Sequence, residues 1–511
     1  MTCSSKRKSD IPPCGEAAKM TLELFQSNKR KKLVVSVCTV LLPHDMMLEV
    51  LLRLPVKSIL RFRAVCHSWA ALFSSKDFRS LHMATSKVLL PAPKLLVVSP
   101  TSSLDSSAVY YSPSAHRDDL LFTFDSALHT SVEVVTPSSC CGLTLLFDAA
   151  VPAYYICNAA TRAITRLPLL RHPKRDYTAG LGFDDQTGEY KVVRLINACR
   201  HEKGVIMCDV YTPGTDRWRP AARELPFGLF QLAISAVEHA LVNKIPPVFA
   251  NGFLHWLILP TLIVRRPRAA IILFSVAEET FGSVRSPPFW GPTENKRPWS
   301  QSEGEHLVVM DGQVCIVRNL RNGTTHGSAL EIWGLLDYGR SSNWSLNHRI
   351  DLFGHIRREL SDPQVVRVIG SVGNCRSRKK IVIVTSKHWV HQKFEKKVYT
   401  YDPMRQVLER IRSVTETHTS ALHFIPGSRF SLFEESLTPV RKTDEDLALP
   451  SILAKATMKK LLLHTKSAIL PISQCDGQEL ASSGEGKGVV TGESSLDDAV
   501  TRACMIGSQS P

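Results

Sequence analysis

One short phrase recurs down most of this chain: an apolar strand, a polar turn, and a second strand. It reads YYICNAATRAITRLP (154–168), CDVYTPGTDRWRPA (208–221), ILFSVAEETFGSVRSP (272–287), LEIWGLLDYGRSSNWSLNHRIDL (330–352) and VYTYDPMRQVLERI (398–411). Successive starts fall about 54 to 68 residues apart. Further strand pairs lie between them: LGFDDQTGEYKVVRL (181–195), FANGFLHWLIL (249–259) and LVVMDGQVCIVRNL (307–320). Short strands with Gly, Pro, Asn and Asp turns argue for a sandwich, a barrel or a propeller. Repetition at this period, with about four strands per unit, is the signature of propeller blades. Five or six blades fit the length.

Ahead of residue 85 the pattern is helical. In LPHDMMLEVLLRLPVKSILRFRAVCHSWAALF (42–73), Pro43 and Pro55 stand at first helical turns, where a missing N–H costs nothing. Met47, Val50, Leu51 and Leu54 fall at i, i+3, i+4 and i+7, yet Met46, Leu48 and Leu52, off that stripe, are apolar too. Val56, Ile59, Leu60, Phe62 and Val65 repeat the excess on a second helix, and Trp69, Leu72, Phe73 and Phe78 on a third. Three helices in so few residues enclose too little interior to hide all this surface. The surplus expects the rest of the chain or another protein.

The same stretch resembles an F-box: Leu42-Pro43, Arg53-Leu54-Pro55 with Lys57-Ser58, Arg61-Phe62-Arg63, and Val65-Cys66 followed by Ser68-Trp69. That resemblance implies docking to a Skp-type adaptor and, through it, a cullin. Carried over by position, Leu42, Pro43, Leu51, Leu54, Pro55, Val65, Cys66 and Trp69 are the candidate adaptor contacts or their direct supports. His44 stands where an acidic residue is common and His67 where Lys or Arg is common, departures that weaken a hydrophobic dock without abolishing it. The β-rich region resembles the F-box-associated domain of plant F-box proteins, on GFDDQTGEYKVVRL, ANGFLHWL and the closing ESL (435–437). A kelch-like or irregular propeller that captures a protein substrate for ubiquitination is what that family implies.

Catalytic patterns are sparse. His388 and His391 are three apart without a third ligand, and no GxSxG elbow or HExxH helix occurs. SSGEGKGVV (482–490) fails as a phosphate loop, with Ala481 at the first Gly and Gly488 at the Ser or Thr that holds magnesium. Asp184-Asp185 and Glu278-Glu279 read as solvated turn residues, and Trp218, Trp256, Trp333 and Trp389 as core. The expectation is a non-catalytic receptor subunit with no metal and no cofactor. Two alternatives stay open: an F-box scaffold outside a ligase that binds protein or nucleic acid, and an enzyme built on a propeller.

The chain carries 63 Lys and Arg against 47 Asp and Glu, a net charge of +16, without a dense basic stripe interleaved with aromatics. A diffusely basic surface is therefore favoured over a nucleic-acid site. Lys29, Arg30, Lys31 and Lys32 form a nuclear-import candidate. The apolar run 33–42 is about half the length a bilayer requires, which argues against a membrane span. The thirteen cysteines contain no CxxC pair, which favours reduced thiols and a nuclear or cytoplasmic setting. The expected fold class is α+β and multidomain: a disordered basic arm (1–38), a small three-helix F-box (40–83), a mainly antiparallel all-β propeller-like domain (86–440), an amphipathic helix (445–466) and a disordered tail (467–511).

Overall fold

The structure, a computed structural model, describes residues 44–441 apart from 90–93, 101–105, 115–116, 126–131, 149–151, 170–175, 198–205, 216, 259–268, 291–304, 322–327, 340–342, 361–363, 374–378, 390–392 and 418–429. The basic arm, the import candidate at Lys29–Lys32, Leu42, Pro43, His391, the helix expected over 445–466 and the tail lie outside the described residues.

Four helices open the described chain: α1 (His44–Leu52), α2 (Val56–Phe62), α3 (His67–Ser74) and α4 (Lys76–Leu89). The third expected helix is divided at Ser75, which is extended and accepts a hydrogen bond through its hydroxyl from the Phe78 N–H at 3.2 Å. That side chain starts a new helix where the backbone has left the old one.

The β region forms six four-stranded antiparallel sheets. The first uses β1 (Lys94–Pro100), β2 (Ser106–Ser114) and β3 (Arg117–Asp125). The second is β4 (Val132–Val134), β5 (Thr144–Asp148), β6 (Ala153–Asn158) and β7 (Ala163–Arg166), and the third β8 (Asp176–Asp184), β9 (Glu189–Asn197), β10 (Ile206–Tyr211) and β11 (Arg219–Pro220). The fourth is β12 (Val248–Ala250), β13 (Phe253–Leu257), β14 (Ala269–Ser275) and β15 (Phe281–Arg285). The fifth is β16 (His306–Met310), β17 (Gln313–Asn319), β18 (Ala329–Leu335) and β19 (Trp344–Asp351), and the sixth β20 (Val365–Val372), β21 (Lys380–Trp389), β22 (Lys393–Asp402) and β23 (Val407–Thr417). β8 neighbours β12, β12 neighbours β16 and β16 neighbours β20, so the first strand of each sheet faces the axis of a six-bladed ring.

Closure comes from the end of the domain. β24 (Phe430–Phe433) pairs antiparallel with β1, Lys94 opposite Phe433 and Val97 opposite Phe430, as the innermost strand of the first blade. The strand is wholly apolar apart from Ser431, and all four of its residues are buried. Beyond it, residues 434–441 run under the neighbouring blades. Asn158 Nδ2 donates to the carbonyls of Ser436 (3.0 Å) and Thr438 (2.8 Å), and the Tyr190 hydroxyl donates to Val440. Gly142, at φ +78°, lies so close that an added Cβ would sit 2.2 Å from that of Ser436.

The recurring turns share one construction. A residue at the strand end accepts from N–H groups two or three positions on: Asn158 from Ala160, Asp184 from Gln186, Ser275 from Glu278 and Asp402 from Met404. Four positions on, Arg162, Glu279 and Gln406 take the left-handed conformation at φ 54°.

Asp184 and Glu279 are not the solvated turn residues the sequence suggested. Both are buried, and together they tie the third blade to the fourth. Glu279 accepts from Arg219 Nη2 at 2.6 Å and Nη1 at 2.7 Å, from the Ala222 N–H at 2.8 Å and from Lys191 Nζ at 3.1 Å. Lys191 also lies 3.6 Å from Asp184. Burial works to raise the Glu279 carboxyl, but Arg219, the Ala222 amide and Lys191 outweigh it and hold the group at about 2.

Two helices interrupt the β body where none was expected. α5 (Phe230–Val242) links the third blade to the fourth, and α6 (Gly354–Leu360) the fifth to the sixth. At the end of α5, the Asn243 and Lys244 carbonyls accept from Arg367 of β20, three blades round the ring, the second at 2.9 Å. Burial lowers the Arg367 guanidinium to about 10 and the α5 residue His239 to about 3. Trp218 and Trp256 are core as expected, Trp333 is half-buried, and Trp389 ends β21.

Two outcomes follow from this architecture. Phe433→Ala removes a buried ring from the closing strand and is expected to cost about 3–5 kcal/mol, read by denaturant unfolding. Glu279→Gln leaves Arg219 and Lys191 uncompensated at a cost of about 3–5 kcal/mol at neutral pH. Because folding lowers this carboxyl from its ordinary 4.5 to about 2, its stabilisation is present above 4.5 and lost as pH falls through that window. Unfolding at stepped pH should show the gap between variant and wild type closing between those values.

Candidate functional site

The four N-terminal helices pack around a run of rings. Phe62 meets Trp69 at 5.3 Å between centroids, Trp69 meets Phe73 at 5.7 Å and Phe73 meets Phe78 at 5.1 Å, each pair edge-on, and Phe78 stacks on His82 at 6.0 Å. Met47, Leu51, Leu52 and Leu54 close the core from α1 and the turn after it, and Val56 and Ile59 from α2. With the interior filled, apolar side chains are left outside: Met46 is 54% exposed, Val65 49% and Val50 42%.

The candidate contacts therefore separate into two groups. Pro55, Val65 and Cys66 are exposed, whereas Leu51 and Leu54 are buried, the position of supports and not of contacts. Trp69 is half-buried in the ring run. Cys66 has a local task, since it is the N-cap of α3 and its Sγ accepts from the Trp69 N–H at 3.5 Å. Met46 was legible as a surplus apolar residue of the first helix and Val50 as part of its stripe, but neither as a member of the site.

α4 joins this unit to the propeller. On its inner side His82 Nε2 donates to the Leu54 carbonyl at 3.0 Å and Ser86 Oγ donates to His82 Nδ1 at 3.4 Å. Burial lowers the His82 imidazole, outweighing the Leu54 carbonyl and the Glu435 carboxylate, which act to raise it. On its outer side Lys76 donates to the Thr187 carbonyl at 2.6 Å, in the turn that Asp184 shapes, and Met83 packs against the core beneath β8 and β9. Lys94 pairs with Glu435 just after the closing strand.

Strand order places this junction at one end of the ring. In an antiparallel blade the turns between first and second and between third and fourth strands share an end, and connections between blades leave from the other. The Asp184–Gly188 turn, and hence α4, lies at the first end; α5 and α6 lie at the second. Among the described residues no group of three His, Cys, Asp or Glu could hold a metal, and no helix is long and apolar enough to cross a membrane.

The F-box-associated β-propeller family model matches residues 94–429, and the F-box family model matches 40–81. The chain belongs to this family of F-box proteins. An F-box protein of Arabidopsis thaliana is 26% identical over 315 residues, 59% of this chain and 88% of that one. A second from the same plant is 29% identical over 231 residues, 42% and 58% of the two chains. An Arabidopsis thaliana F-box/LRR-repeat/kelch-repeat protein is 26% identical over 307 residues, 54% and 70%. This chain is thus an F-box protein with a C-terminal propeller domain, similar to plant F-box proteins.

The burial pattern separates support from surface in a measurable way. Leu54→Ala is expected to lower stability by about 2–5 kcal/mol. Val50→Asp, at an exposed position, is expected to change it by no more than about 1 kcal/mol. Denaturant unfolding of the two variants beside wild type checks the division.

Proposed function

We propose that this F-box protein is a substrate-receptor subunit of a Skp-cullin-F-box ubiquitin ligase, working in the nucleus, the cytoplasm or both. The observation that carries the reading is the outward apolar surface at Met46, Val50 and Val65, on a helical unit whose own core is already filled. Desolvating such side chains against an adaptor drives docking by the hydrophobic effect. Leu51, Leu54 and the ring run hold the surface in shape from behind, and Leu42 and Pro43 are the further adaptor contacts that the F-box resemblance implies.

The propeller then holds a protein substrate. Its end remote from α4 carries the connections between blades, where Phe227 is 93% exposed and Phe353 52%. Exposed rings at such positions suit protein capture. The chemistry of this role is proximity: adaptor and cullin fix one end, substrate is held at the other, and the charged conjugating enzyme meets it at high effective concentration. Bond-making groups belong to other subunits.

The test is capture of the full chain by a purified Skp-type adaptor. Wild type is expected to bind, Val50→Asp/Val65→Asp to lose at least tenfold in affinity while keeping its unfolding midpoint, and Leu42→Ala/Pro43→Ala to weaken binding as well. A folded wild-type protein that does not bind overturns the proposal.

A further inference from the structure

A cleft opens where α4 meets the underside of the propeller, with about 780 Å³ of empty space, its open mouth included. Its lining divides by chemistry. Lys76, Arg79 and Arg441 supply three cations against the single carboxylate of Glu189, while Met83 and Phe183 supply an apolar floor. Arg441 is exposed at the rim and anchored by its Nε, which donates to Thr165 Oγ1 at 2.7 Å. Lys76 spends one of its three donors on the Thr187 carbonyl.

The described chain ends at this rim. The residues that follow Arg441 are Lys442, Thr443, Asp444, Glu445, Asp446, Leu447, Ala448 and Leu449. Three carboxylates in a row are followed at once by two leucines, the same two chemistries in which the cleft is complementary. Reach is no obstacle. Three residues span up to about 10 Å, so Asp444 can face cations of the cleft from which Arg441 emerges.

We propose that the cleft is a binding site for an acidic-then-apolar peptide, and that its occupant is this chain's own segment 443–449. Asp444, Glu445 and Asp446 meet Lys76 and Arg79, and Leu447 and Leu449 cover Met83 and Phe183. The segment straps α4 to the propeller across the cleft, adding to the Lys76–Thr187 bond in its lining. The pairing is independent of adaptor docking, and its test does not use the adaptor.

Zero-length carbodiimide coupling of the full chain reads it directly, because it joins a carboxylate to an amine only in contact. The expected product links one of Asp444, Glu445 and Asp446 to Lys76, and disappears in Asp444→Lys/Glu445→Lys/Asp446→Lys. A second reading uses amide hydrogen exchange. A chain ended after Arg441, and the triple reversal, are expected to exchange about tenfold faster over 76–83 and 185–190. Adding Lys76→Glu/Arg79→Glu to the triple reversal is expected to restore protection. Absence of the Lys76 crosslink, together with unchanged exchange in the shortened chain, overturns the proposal. A crosslink with no change in exchange leaves contact without a strap and overturns the bracing role. Faster exchange without the crosslink assigns the cleft to another partner and overturns the proposed occupant.

Discussion

A ring of sheets has no exposed edge only if its first and last strands meet, and in this protein that meeting is a four-residue pairing. β24 gives β1 its inner neighbour, and without it the first blade would present an unpaired row of N–H and C=O groups to the axis. The positions of the other blades depend on that closure, since each packs on the next and the sixth must come back to the first. The strand holds by burial of Phe430, Leu432 and Phe433 as much as by its ladder bonds. The Leu432 N–H and C=O also bond the segment 137–139 of the second blade, so the closing strand is gripped from both neighbours.

The same closure positions the F-box. Residues 434–441 continue from β24 across the underside of the second and third blades, and α4 lies against the third blade beside them. The last F-box helix thus rests on a turn shaped by Asp184, and that turn rests on the buried Lys191 and Glu279 network between blades. The F-box helices and the propeller are linked through polar groups that are paired on both sides. Such a link transmits position, because a buried charge that loses its partner is costly.

Much of this was legible in the sequence. The recurring phrases proved to be the outer hairpins of five blades, and the strand pairs between them the inner hairpins of three, because alternation and turn chemistry act within a few residues. The failures have a common physical cause in distance along the chain. Glu279 looked like a solvated turn residue because its partners, Arg219 and Lys191, lie in another blade. β24 is four residues long, and its meaning lies in a partner strand far upstream. α5 is different: Ala233, Ala236, Val237 and Ala240 repeat at helical spacing and are buried, so the signal was present and was overridden by the β reading around it. In the F-box, the surplus of apolar residues announced side chains that the helical core would leave exposed. Which residues face inward needed the packing, and it turned Leu51 and Leu54 into supports.

The order in which the chain is made gives the closing strand a temporal meaning. Translation delivers the F-box helices first and β24 more than 300 residues after β1. At roughly 5–20 residues per second, that separation lasts from about fifteen seconds to more than a minute. Through most of this interval the first blade has three strands and an open inner edge, while all four helices of the F-box unit are already synthesised. The F-box helices are therefore complete on a nascent chain whose propeller does not yet exist as a ring.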